Sequence, residues 1–236
     1  WILDPDRKKM SKSKGNVVTP ADLFARYSND AVRYWTRRAR VGSDTAFDEQ
    51  VLRIGRRLIL KIFNASRFVL SQVDRVEAWW ASHSPTCIEA PLDCAYIACL
   101  RDVVRRATEG FDRFEYAIAL HAAEEAFWDF CDNYIEIVKG RSYSETHGQQ
   151  RDSAIATLLC GLRTYLRLLA PFVPFVTEEV WSWRFAEVSG RERFVHTSPW
   201  PDLAETESVR APSGDQPYSA AVEISQQIRA VETQAQ

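Results

Sequence analysis

Residues 7–16 read RKKMSKSKGN, and Arg7, Lys8, Lys9, Lys12 and Lys14 crowd five cations into that short stretch. Cations packed this closely repel one another unless an anion or bulk solvent lies over them, so the stretch is either a phosphate site or a solvated loop. It lacks the glycine spacing of a Walker A loop, and the chain has no G-x-G-x-x-G, so backbone amides would not cradle the phosphates. The lysine side chains would have to hold them. Flexible ammonium groups on a small loop built with Ser11, Ser13 and Gly15 can close over a polyphosphate and match the charge that develops as a bond to phosphorus breaks.

A second group of cations lies in a segment of helical period that Asp48 would cap and that runs to about Val73. Its apolar residues Val51, Ile54, Leu58, Ile62, Ala65 and Val69 share one face, and Arg53, Arg56, Arg57 and Lys61 fall opposite. Two readings stand side by side here: the solvated face of an amphipathic helix, or a stripe that meets RNA phosphates. Charge along the chain bears on the choice. Residues 1–70 hold 15 Lys or Arg against 7 Asp or Glu, a balance of +8, while the rest holds 15 against 25, a balance of −10, and together they give the net −2. A polyanion is expected on the basic third.

Other chemistries find little support. The histidines His83, His121, His147 and His196 are scattered without metal-ligand spacing, so no metal site and no Ser/His/Asp arrangement is expected. Cys87, Cys94, Cys99, Cys131 and Cys160 are odd in number and form no C-x-x-C pair, as befits reduced, buried thiols in a cytoplasmic protein. The longest apolar runs, such as LRLLAPFVPFV, are short and interrupted, and no signal-peptide pattern is visible, so no membrane partner is expected.

The elements that would position these residues can be read in outline. WILDP is a strand-like scrap needing a partner strand, Asp4-Pro5-Asp6 turns into the basic loop, and Gly15-Asn16 closes it. Thr19 and Pro20 start a short helix; Ser28-Asn29-Asp30 ends it and caps AVRYWTRRAR, whose last turn carries Arg37, Arg38 and Arg40; Gly42-Ser43-Asp44 breaks that. Residues 77–93 read as a loop. Helices follow from Tyr96, from about Phe114 with Phe127, Phe130, Tyr134 and Ile137 on one side until Gly140, from about Arg151 to Pro171, and over FVTEEVWSW; HTSPWP reads as extended. Roughly five helices in a bundle are expected. The missing initiator methionine and the helix-like ISQQIRAVETQAQ at the end suggest a piece of something larger.

The sequence KMSKS at Lys9, Met10, Ser11, Lys12 and Ser13 is identical to the signature loop of the class I aminoacyl-tRNA synthetases. SKGNVVTP, DAVRYW, GSDTAFDEQ, NASRFVL, FCDNYIEIVKGR and PFVPFVTEEVW, in that order, resemble the valyl-tRNA synthetase family, so the resemblance runs from Asp4 to about Trp200. The isoleucyl and leucyl families share the loop and the bundle, but TAFD followed by NASRFVL is more similar to the valyl branch.

That resemblance implies a mainly α chain: a helical bundle of the synthetase anticodon-binding type behind a short remnant of an α/β catalytic domain. It divides residues 1–18 (end of the catalytic domain), 19–50 (a connection at the inner corner of tRNA), 51–185 (the anticodon-binding bundle) and 186–236 (an extended tail and the start of a following subdomain). It implies that Lys9, Met10, Ser11, Lys12 and Ser13 contact ATP and that Lys9 and above all Lys12 stabilise the departing pyrophosphate. The complete enzyme would take valine, ATP with magnesium and the valine tRNA, in the cytoplasm and as a monomer, with no cofactor bound by this chain. Arg53, Arg56, Arg57 and Lys61 are inferred to be phosphate contacts. The family's His-x-Gly-His signature is absent from the sequence, and the amino-acid pocket and editing domain would lie elsewhere. The chain alone is therefore expected neither to activate valine nor to edit. The competing readings are an isoleucyl-type enzyme of the same class, and a free-standing helical interaction module whose basic loop is merely solvated.

Overall fold

The computed structural model describes residues 1–39, 42–72, 87–144, 148–186, 191–210 and 216–234. The strand-like start finds its partner downstream: β1 (Ile2–Leu3) pairs in parallel with β2 (Thr45–Ala46), Ile2 opposite Thr45 and Leu3 opposite Ala46. Between them lie α1 (Pro20–Arg26) and α2 (Asn29–Arg38), and after them α3 (Glu49–Leu70). The caps expected from sequence open all three. The side chain of Thr19 accepts from the Asp22 amide, Ser28 from the Ala31 amide and Asp48 from the Gln50 amide.

Among the described residues the remaining helices are α4 (Pro91–Asp112), α5 (Tyr116–Asp129), α6 (Ile135–Ser142), α7 (Gly148–Leu169), α8 (Pro174–Arg184) and α9 (Gln216–Gln234). A π turn over Phe130–Tyr134 joins α5 to α6 in one continuous run. With that run counted as one helix, α3 to α8 make five among the described residues. Their facing sides share one core, in which Leu58, Ile62, Phe127, Phe130, Tyr134, Leu158, Leu162 and Trp181 are at most 1% exposed. A satellite cluster of Leu23, Val32, Trp35 and Leu52 seats α1 and α2 on α3.

Several expected boundaries move. The helix α4 starts at Pro91, five residues ahead of Tyr96, because a proline at the first helical position sacrifices no needed N–H. The helix α3 stops at Leu70; Val73 and residues 77–86 of the expected loop lie outside the described residues, as do Arg40, His83 and His147. Gly140 sits inside α6, and Phe114 precedes α5 with a positive φ of 58°. HTSPWP is not extended throughout. Val195–Thr197 form a 3-10 turn that begins with the Val195 amide on the Glu178 carboxylate, and only from Ser198, before Pro199, does the backbone extend.

Candidate functional site

The basic loop is pinned at both ends by a single buried carboxylate. Asp4, 6% exposed, accepts from the Lys8 amide at 2.7 Å and from the Asn16 side-chain amide at 2.8 Å. Asn16 in turn accepts the Ser11 amide at 2.9 Å, and Leu3 bridges Lys9 across the turn. The Lys8 N–H and then the Asn16 amide hold the Asp4 carboxyl below its usual range. Between these anchors Lys12–Lys14 form one 3-10 turn closed by Gly15 at φ 67°, a left-handed position where glycine is free of Cβ strain. Lys12, Ser13 and Lys14 face solvent, the Ser11 and Ser13 hydroxyls lie 3.2 Å apart, and Met10 is half-buried. Lys9 is already engaged, its ammonium 4.3 Å from the Trp1 ring centroid.

The second group of cations forms one wall of an open groove of about 860 Å³. Arg53, Arg56 and Arg57 come from α3, and Arg26 and Tyr27 from the end of α1. Glu49 ties the walls together. It accepts from the Tyr27 hydroxyl at 2.7 Å and from Arg26, and it lies 3.8 Å from Arg53. The Tyr27 hydrogen bond, with the Arg26 and Arg53 charges, holds Glu49 below its ordinary range, so it stays ionised. One carboxylate among four guanidinium groups leaves the groove cationic. Lys61 does not line it: one turn further along α3 its ammonium pairs with Asp132 at 2.6 Å and lies 5.6 Å from the Trp128 ring centroid. Sequence reasoning missed Arg26, Tyr27 and Glu49. The signals were an arginine in the last turn of one helix and a glutamate in the first turn of another, 23 positions apart.

Asp30 ties α2 to the bundle. Read from sequence as part of a local cap, it reaches across to α8 and accepts from the Phe175 and Val176 amides at 3.1 and 2.8 Å. Burial pushes its carboxyl up, against the pull of those two N–H groups. Tyr34 of α2 adds a second tie, its hydroxyl 2.6 Å from Glu124 on α5 and 2.8 Å from Arg38.

Among the described residues the most deeply buried thiols are poor nucleophiles. Burial pushes the Cys131 thiol up to about 12 and that of Cys160 up to about 11, far from nucleophilic thiolates. His121 is exposed, and His196 lies 3.3 Å from the Pro174 carbonyl and 3.8 Å from Glu178. Among the described residues no group of His, Cys, Asp and Glu could hold a metal ion, and no helix is long and apolar enough to cross a membrane.

The family model for the anticodon-binding domain of tRNA ligase matches residues 93–236. This chain belongs to that family. The model for class I tRNA synthetases (I, L, M and V) matches residues 1–48, which take in the loop, α1, α2 and both strands. In this anticodon-binding family, similar proteins include the Valine--tRNA ligase of Thermobifida fusca, 45% identical over all of this chain and 25% of its own length. The Valine--tRNA ligase of Salinispora arenicola is 50% identical over 87% of this chain and 23% of its own. The chain thus spans about a quarter of the curated relatives it matches. The crystal structure of the LeuRS-tRNA-LeuAMS ternary complex of Agrobacterium radiobacter K84 agnB2 contains a chain sharing the fold, with a TM-score of 0.66 at 22% identity over 89% of this chain and 24% of that one.

Proposed function

We propose that this chain is the tRNA-binding and loop-bearing section of a valine–tRNA ligase, which joins valine to its tRNA at the expense of ATP. The observation that carries this reading is a basic loop anchored by Asp4 and Asn16 with Lys12 left exposed, followed along the chain by a cationic groove. A tethered loop with exposed Lys12 is suited to close over a polyphosphate and to meet the charge that appears as pyrophosphate departs. In this reading Lys9, Met10, Ser11, Lys12 and Ser13 contact ATP, with Lys12 carrying most of the stabilisation and Lys9 leaving Trp1 to join it. Magnesium would arrive on the ATP phosphates, since the loop offers cations and no cluster of carboxylates. Residues 1–18 close the catalytic domain, 19–50 connect it to the tRNA, 51–185 form the anticodon-binding bundle and 186–236 begin the next unit. The ligase works in the cytoplasm as a monomer.

Arg53, Arg56 and Arg57, joined by Arg26, meet RNA phosphates, while Lys61, held by Asp132, contributes less. Binding of the purified chain to tRNA with a valine anticodon, against an isoleucine tRNA and across a salt series, tests the assignment. Preference for the valine tRNA is expected. Equal, salt-sensitive binding would move discrimination elsewhere in the ligase, and absence of binding would favour a free-standing interaction module.

A further inference from the structure

Beside the arginine groove lies a smaller cleft of about 460 Å³, within the range of clefts that bind small ligands. Phe24 of α1, Asn29 at the start of α2, Ile59 of α3 and Phe175 of α8 surround it, and Tyr27 lines both the cleft and the groove. Phe24 is 49% exposed and Phe175 59%, in a molecule that buries Phe127, Phe130 and Phe172 to 1% or less. Neither ring is needed to fill the core. Tyr27 is a fixed wall between the two hollows, because its hydroxyl is held by Glu49 at 2.7 Å. The Asp30 carboxylate, which also borders the cleft, accepts from the Phe175 and Val176 amides and is 3% exposed, so it is not open to a ligand in the cleft. The side-chain amide of Asn29 makes no hydrogen bond among the described residues and presents both a donor and an acceptor at the rim.

Phenyl faces open to solvent next to a row of guanidinium groups match single-stranded nucleic acid, with phosphates on the cations and an unstacked base on the aromatic ring. Four arginines opposed by Glu49 alone select a polyanion over an apolar protein segment. We propose that the Phe24–Phe175 cleft receives one unpaired base of a bound RNA, whose neighbouring phosphates lie on Arg53 and Arg57. This rests on the RNA-binding reading above and adds to it a pocket for a base.

The two readings separate by experiment. A single-stranded oligoribonucleotide carrying 2-aminopurine should be quenched on binding, and a fully paired duplex of the same length should bind without insertion. Phe24→Ala and Phe175→Ala should each weaken binding of the single strand by about tenfold or more at an unchanged salt slope, since stacking is worth about 1–3 kcal/mol per base and releases no counterion. Phe175→Leu keeps apolar volume but no π face and should lose as much. Wild-type affinity in both alanine variants would overturn the base pocket, as would full binding by Phe175→Leu, which would mark the cleft as a seat for aliphatic groups. Arg53→Ala and Arg57→Ala should each shallow the salt dependence by about one unit of slope. Unchanged slopes in those two would sink the RNA-binding reading itself, whereas failure confined to the phenylalanine variants would remove only the cleft.

Discussion

Lys12 and Lys9 sit three positions apart in one loop and meet different surroundings. Lys12 projects from the exposed 3-10 turn, while Lys9 rests on the Trp1 ring 4.3 Å away. An ammonium that is free in the ground state and engaged only as charge develops lowers the barrier without tightening substrate binding. Lys12→Ala in the complete ligase should therefore slow adenylate formation, by about 10²-fold, much more than it weakens ATP binding. Pre-steady-state rates set against ATP affinity provide the check, and an effect confined to affinity would contradict the role. The motif itself was plain in the sequence because its residues are contiguous. The anchoring of its two ends by Asp4 was not, since the significance of an aspartate 12 positions from Asn16 depends on how the chain turns between them.

Between elements, the closest approach at a described glycine is where α2 crosses α3. A Cβ added to Gly55 would lie 2.7 Å from Cδ1 of Tyr34, a buried ring whose hydroxyl is fixed by Glu124 and Arg38. Gly55→Ala should cost about 1–3 kcal/mol through that overlap, outweighing the helix propensity gained. Gly140, with open space around it on α6, is the contrast: Gly140→Ala should gain up to about 1 kcal/mol. Urea unfolding of both variants reads the difference, and equal midpoints would mean that α2 slides aside freely. Helix identities and caps were legible because apolar period and capping chemistry are local. The close crossing was not, because an isolated Gly55 in an amphipathic helix reads only as a weak helix former.

At the scale of the whole molecule, three arginines fasten the segment after α8 back onto the bundle. Arg101 donates to the Val209 carbonyl at 2.8 Å and also to Thr206, Arg163 to Glu192 and Glu205 at 2.5 and 2.9 Å, and Arg167, 4% exposed, to Glu205 at 2.7 and 2.6 Å. Beyond them α9 is anchored by Tyr218, packed against Tyr96 and bonded to Asp129. Burial would push Glu205 up, yet the hydrogen bond and charge of Arg167, with help from the Asp202 amide and Arg163, hold it below the ordinary 4.5. Its contribution to stability is thus present above the unfolded value and lost as pH falls through the lower folded one. Glu205→Gln should destabilise the fold by only about 1 kcal/mol near neutral pH, because solvent screens the partly exposed carboxylate. The gap in urea midpoint from wild type should close on acidification below the folded value. A gap independent of pH would show that the ion pair contributes nothing. Sequence alone determined the helical class, the capped starts of α1 to α3, the basic loop and the charged face of α3, because each follows from neighbouring residues or a short repeat. Only tertiary structure decided that Arg26 joins Arg53 and Arg57 while Lys61 turns to Asp132, that Asp30 caps α8, and that the tail is fastened by Arg101, Arg163 and Arg167. Those choices depend on which charges find partners across distant segments, and chain order does not encode that proximity.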